Sequence, residues 1–289
     1  MGLKDKIEAG EFTILAEMEP PKGVDVSVML SNAKRVKDGV DAFVIPEMGN
    51  AVMRMSSLGG AMVLQNEGLP TVFQVCCRDR NRLAIQGDLL AAHALGINTV
   101  MAVIGEDPSF GDHHQARSVN DVDLFELIKA IDRLNQGKDM AGIELAGAPD
   151  FLIGSTTEAG AKGKSTEVEM EEMMKRVEAG ARFLITSPIF DPSLLDPYKK
   201  RIDLRKVAVI PTVMLLKSLG MARYLVRNLP HLHISETIID RIARAPDKVR
   251  ECVQIATETV RELKHQGFNG VYLSTLGWEN KLPEIIEGI

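Results

Sequence analysis

Three cysteines among 289 residues are too few, and wrongly spaced, for a disulfide framework, because Cys76 and Cys77 are adjacent and Cys252 stands alone. They read as reduced, buried thiols. The histidines offer no metal site either: His113-His114 and His231/His233 lack the i, i+4 spacing with which a helix presents a zinc pair. Neither glycine-rich phosphate signature, GxGxxG or GxxxxGK[ST], occurs, which removes the main support for a Rossmann or P-loop fold. The formal charge is −6 and the basic residues are scattered, whereas a nucleic-acid surface needs concentrated positive charge and stacking aromatics. No nucleic-acid partner is expected. No apolar stretch approaches the roughly 20 residues of a membrane span, and the start Met1-Gly2-Leu3-Lys4-Asp5 has no signal-peptide core. A cytoplasmic protein is the expectation.

What remains is apolar material, 45% of the chain, in short runs separated by helical patterns. Eight runs read as strands: 12–18, 42–45, 71–76, 99–103, 151–153, 183–186, 207–213 and 271–273. Between them the apolar residues recur with helical period, as in Leu83, Ile85, Leu89, Leu90 and Ala94, or Met170, Met173, Met174 and Val177. Strand and helix alternate without a linker, which predicts an α/β fold with a parallel sheet. Eight units in this length favour a (β/α)8 TIM barrel over an open sheet, with residues 1–289 forming one barrel domain. Two helices, 235–245 and 246–265, precede the last strand, so one helix is extra. Asp25 and Asp247 are expected at helix starts, and Gly39, Gly68, Gly96, Gly137, Gly180 and Gly267 at helix ends.

The segment Ala16-Glu17-Met18-Glu19-Pro20-Pro21 closes the first run. A strand alternates faces, so Glu17 and Glu19 point the same way as the chain runs into a proline that cannot extend a ladder. In a barrel of parallel strands this is the end where active sites are built. A carboxyl crowded by a like charge and partly desolvated there can hold a proton near neutrality and act as a general acid. A solvated acidic turn is the competing reading. The longest loop after a strand, 104–120, is rich in Gly, Asp, His and Pro, and long loops in compact domains are often functional.

Taken in order, AEMEPP at 16–21, RMSSLGGA at 54–61, CRDRNRLAIQGDLLAAHALGI at 77–97, GEDPSFGD at 105–112 and DVDLFELI at 121–128 resemble the methylenetetrahydrofolate reductase family. The likeness continues through LNQGKDMAGIELAGAPDFLIG at 134–154, KRVEAGARFLITSPIFD at 175–191, LLKSLGMARYL at 215–225 and LGWENKLPEI at 276–285. The LNQG, CRDRN and LGWENK segments look most like the short prokaryotic branch, a catalytic barrel without a regulatory domain. The resemblance implies a (β/α)8 barrel holding a flavin, FAD in preference to FMN. It implies reduction of 5,10-methylenetetrahydrofolate to 5-methyltetrahydrofolate.

By that resemblance Glu17 aligns with the acid that protonates the folate nitrogen as its ring opens, and Glu19 takes a pKa-raising, structural or substrate-side role. Glu106, with Asp107 beside it, matches a carboxylate near the flavin pyrimidine. Gln74, Cys76, Arg78, Gly105, Gly154 and Ser155 fall at flavin-side positions, where Pro46 and Gln74 replace the family's usual Thr and His. Arg78 and Arg80 could reach a cofactor phosphate with Asp79 holding them, or the three could form a structural ion-pair network. Ser187 and Glu167 stand where the family has glutamines, and Phe190 matches an aromatic that could pack on the pterin. These departures at Gln74, Ser187 and Glu167 suggest a partner protein as electron donor, with direct NAD(P)H use as the alternative. A homo-oligomer and a hetero-complex are both open. Two other functions stay open: a pterin-binding barrel methyltransferase working with a corrinoid partner, and a non-catalytic subunit of a larger assembly.

Overall fold

The computed structural model describes residues 1–204 and 206–289. Eight parallel strands close in sequence order: β1 Thr13–Glu17, β2 Ala42–Ile45, β3 Thr71–Cys76, β4 Thr99–Val103, β5 Leu152–Thr157, β6 Phe183–Pro188, β7 Ala208–Met214 and β8 Gly270–Ser274. β8 pairs back onto β1, with Leu15 opposite Tyr272, and the barrel is complete. This is the (β/α)8 fold that the alternation predicts.

Parallel strands covered on both faces need no polar side, which is why they read as continuous apolar runs. One set of alternate residues fills the barrel, including Leu15, Val44, Val72, Met101, Leu152, Phe183, Ile210 and Tyr272. The other set, such as Ala16, Phe43, Ile45, Phe73, Val75 and Val100, packs under the helices. Volume is shared across strands: a Cβ on Gly154 of β5 would lie 2.0 Å from the ring of Phe183 on β6, so the missing side chain of one is the space of the other.

The helices follow from amphipathic pattern and caps. In Leu124–Asn135, Leu127, Ile128, Ile131 and Leu134 are buried, and Asp123 accepts from the Glu126 N–H at the start. Such a cap is worth about 1 kcal/mol. Asp247 caps Lys248–His265 as expected, but Asp25 lies one residue early: Val26 holds the cap position, and Asp25 takes the Ser27 N–H instead. Among the expected stops, Gly96 is left-handed at φ +84°, whereas Gly39 is not left-handed and instead makes room for Ile286, which a Cβ there would meet at 2.5 Å.

Three features go beyond the pattern. β5 runs on to Thr157, its Gly-Ser-Thr-Thr stretch paired with β6, although those residues read as a loop. The register between β6 and β7 shifts between Ile185 and Pro188, an irregularity that re-aims side chains at the rim. A short helix, Leu3–Glu8, lies across the amino end of the barrel, where Leu3 and Ile7 join the interior cluster. Helices Glu236–Arg244 and Lys248–His265 precede β8 as predicted. No helix of the described residues is long and apolar enough to cross a membrane.

Candidate active site

The carboxyl ends of the strands open into a cleft of about 420 Å³. Its apolar lining comes from Met101, Val103, Ile104, Ile185, Met214 and Leu276, and its polar lining from Glu17, Glu47, Gln74, Glu106, Thr156, Thr186, Thr212, Tyr272 and Ser274. That mixture, a mostly apolar wall with a few placed polar groups, is what small-molecule sites use. Another hollow, about 350 Å³, lies at the opposite end among Leu3, Lys4, Thr71, His93 and Asp150, where barrels carry stability rather than chemistry.

Glu17 is the last residue of β1, and its Oε2 accepts hydrogen bonds from the Tyr272 hydroxyl at 2.7 Å and the Ser274 hydroxyl at 3.2 Å. Both donors sit on β8, two residues apart and therefore on one face. Burial pushes the Glu17 carboxyl above its ordinary value; the two hydroxyls pull it back, and Glu19 and Glu279 add a smaller upward push. Desolvation, more than crowding by Glu19, raises this acid. Glu19 itself turns to the rim and pairs with Arg54 at 2.8 Å. Glu279, buried beside them, is also raised, chiefly by burial.

On the cofactor side expected from the sequence, Gln74 lines the cleft, its carbonyl oxygen accepting the Glu47 N–H at 3.1 Å. Gly105 lines it at φ +87°, and a Cβ there would come within 2.3 Å of the Cys76 sulfur. Cys76 lies behind that turn: its thiol donates to the Ile104 carbonyl at 3.1 Å, and burial pushes it up to about 11. It is a packing thiol, not a nucleophile. Glu106 lines the cleft, while Asp107 turns outward and caps Ser109 at 2.8 Å.

Arg78 is buried and committed: it grips Asp79 at 2.7 and 2.8 Å and donates to the Glu106 carbonyl at 3.2 Å and the Glu47 carbonyl at 3.4 Å. Arg80 is spent on Glu47 and Asp88. Of the two readings for these residues, the ion-pair network is the one visible in the geometry.

Other expected residues stand apart from the cleft. Gly154 faces Phe183 inside the barrel, and the buried Ser155 hydroxyl donates to the Ala102 carbonyl, leaving Thr156 to line the site. Glu167 is exposed at the start of the helix Thr166–Glu178 and pairs with Arg201 at 3.2 Å. Ser187 sits in the β6 irregularity with its carbonyl accepting the Thr186 hydroxyl, and Thr186 and Pro188 line the cleft in its place. Phe190 is buried in the layer between barrel and helices, where its ring is already covered.

Three cleft residues escape sequence reasoning. Tyr272 and Ser274 lie 255 and 257 residues from Glu17, and only barrel closure joins them. Their i, i+2 placement at the end of an apolar strand is the signal that could have found them. Glu47 is a third, its carboxylate buried while accepting from the Ser57 N–H at 2.8 Å and Arg80 at 3.2 Å, and raised chiefly by burial. Around it the backbone is strained: Met48, Asn50 and Ala51 all take left-handed φ, between 48° and 55°.

Comparison with known proteins gives one family. The profile described as methylenetetrahydrofolate reductase matches residues 2–289. Among curated relatives, methylenetetrahydrofolate reductase 2 of Schizosaccharomyces pombe is 23% identical over 99% of this chain and 46% of its own length. Probable methylenetetrahydrofolate reductase (NADPH) of Caenorhabditis elegans is 23% identical over 94% of this chain and 41% of its own. The chain thus spans less than half the length of these relatives. Among solved structures, oxaloacetate acetylhydrolase in complex with oxalate superposes with a TM-score of 0.59 at 11% identity, covering 99% of this chain and 83% of that one. The EDTA monooxygenase of Chelativorans sp. BNC1 gives 0.55 at 8% identity, covering 96% and 93%. At such identities these two show the barrel fold alone.

Proposed function

This chain belongs to the methylenetetrahydrofolate reductase family, and from that premise we propose that it reduces 5,10-methylenetetrahydrofolate to 5-methyltetrahydrofolate with a bound flavin, Glu17 acting as general acid. The observation that carries the reading is the Glu17 carboxyl, desolvated at the barrel mouth and raised so that it keeps a proton to higher pH than an exposed glutamate. Residues 1–289 form the catalytic barrel in this reading.

The donor set fits a flavin ring. Met101, Val103 and Ile185 offer an apolar wall to a flat heteroaromatic, and the Gln74 amide nitrogen, held among the described residues only to the Met101 sulfur at 3.9 Å, has donor capacity to spare for its polar edge. Gly105 brings backbone to the same wall, and Glu106 places a carboxylate there. When bound, the flavin supplies the hydride; FAD is the form proposed. The chain's own part is protonic and orienting. Glu17 gives its proton to the folate nitrogen that departs as the five-membered ring opens, which spares that nitrogen a negative charge and leaves an electrophilic iminium carbon on the substrate. The apolar lining excludes water that would hydrolyse it.

Direct use of a nicotinamide is the electron supply proposed. Of the three departures that favour a partner protein, Glu167 and Ser187 lie off the cleft wall and Gln74 lines it, and the C. elegans relative carries NADPH in its name. The test is an absorption spectrum and flavin extraction on the purified protein, followed by turnover of methylenetetrahydrofolate with NADH and NADPH. A yellow protein that turns over supports the reading. A colourless one that gains nothing from FAD or FMN, yet methylates a corrinoid acceptor, replaces it with methyl transfer; no turnover of either kind makes the barrel a silent subunit.

A further inference from the structure

The two carboxyl oxygens of Glu17 are not equivalent. Oε2 accepts both hydroxyls, Tyr272 at 2.7 Å and Ser274 at 3.2 Å. Oε1 has no hydrogen-bond partner among the described residues, is not sealed from solvent, and is the oxygen left to the cleft that Glu17 lines. A neutral carboxyl carries one O–H, and its other oxygen keeps its lone pairs for accepting. With two O–H donors aimed at Oε2, a proton placed there would displace one of them, whereas a proton on Oε1 leaves both bonds intact.

We infer that Tyr272, with Ser274 as a weaker second, is a positioning residue that confines the Glu17 proton to Oε1, facing the substrate. The inference rests on the acid role proposed above. Tyr272 suits the task because its ring is packed in the barrel interior with Leu15 and Ile210, so its hydroxyl has no freedom to swing away. Burial and the adjoining carboxylate hold its own ionisation well above 10, so it stays a donor. The charged groups around the pair are Glu19 with Arg54, Glu279 facing Lys217, and Glu47 and Glu106 on the cleft wall. All of these remain in the variants below.

Infrared difference titration of the purified protein tests this without reference to turnover. The protonated-carboxyl band lost in Glu17→Gln belongs to Glu17. In Tyr272→Phe that band should move to higher wavenumber, because its carbonyl loses a donor, and the titration midpoint should rise by about one pH unit, because the charged form loses the same donor. The folate half-reaction at its low-pH plateau should slow about three- to tenfold at unchanged KM, with its alkaline limb shifted upward in step. Ser274→Ala should move band and midpoint in the same directions by less, and it decides the matter if Tyr272→Phe does not fold. An unmoved band and midpoint overturn the inference even if Glu17→Gln abolishes folate reduction. If instead the band moves but Glu17→Gln reduces folate normally, the acid role fails and the positioning stands.

Discussion

At the amino ends of the strands the helix Leu3–Glu8 lies over the barrel, driving Leu3 and Ile7 into its interior, and the charges nearby are paired: Lys4 with Asp150 at 2.7 Å and Lys6 with Asp41 at 2.5 Å. At the carboxyl ends the packing opens into the cleft, and three glutamates, the half-buried Glu17 and the buried Glu47 and Glu279, have their carboxyls raised by desolvation. The left-handed non-glycine residues of the described chain, Met48, Asn50, Ala51, Asn120 and Leu276, all lie in loops that follow strands. One end therefore lowers the free energy of the fold, and the other holds desolvated charge and strained backbone that a fold alone has no use for. Stability and activity can therefore be separated along the barrel axis.

The sharpest separation is Glu17→Gln. Loss of a general acid commonly costs about 10²–10⁴ in rate, and folate turnover should fall by that much. Stability should move the other way. A carboxyl whose folded pKa is raised stabilises the fold fully below its unfolded value and loses that contribution as pH rises through the folded one, so at pH 8 the charged Glu17 is a burden that Gln removes. Urea melts should show the variant about 1 kcal/mol more stable at pH 8, with the gain shrinking toward pH 4. A variant less stable at every pH would break the contrast between the ends.

Ile7→Ala is the converse. Removing most of a buried side chain costs about 2–4 kcal/mol, read as a lower urea midpoint, while turnover measured well below the melting temperature should be unchanged. Equal loss of activity would mean that the plug communicates with the mouth. The smallest effect belongs to Lys4→Ala: its partner Asp150 is largely exposed, so the change should cost less than about 0.5 kcal/mol and leave turnover alone.

How far these ends could be read from sequence differs for physical reasons. Strands buried on both faces announce themselves as apolar runs, and β2, β3 and β4 lie where the runs predict. The later half of β5 escaped because Gly154 to Thr157 look like a loop until Phe183 is seen filling the space over Gly154. The six-residue helix Leu3–Glu8 is too short to show a period. Glu17 was legible because alternation along one strand is local. Tyr272, Ser274 and Glu47 were not, because their roles depend on which strands become neighbours. Ser155, Glu167, Ser187 and Phe190 were placed by alignment, which carries no information on side-chain face, and the β6 irregularity changes that face at Ser187.

The most direct test of Glu17 as the acid is the pH dependence of a single-turnover folate reduction, measured by rapid mixing on the pre-reduced protein, with reduction of the flavin by an artificial donor as control. With Glu17 as the acid, the folate step should be fast at low pH and fall as pH rises through a midpoint above the ordinary glutamate value of 4.5. That limb should be absent in Glu17→Gln, with the donor step nearly unchanged. A folate step that keeps its rate and its limb in Glu17→Gln would contradict that role.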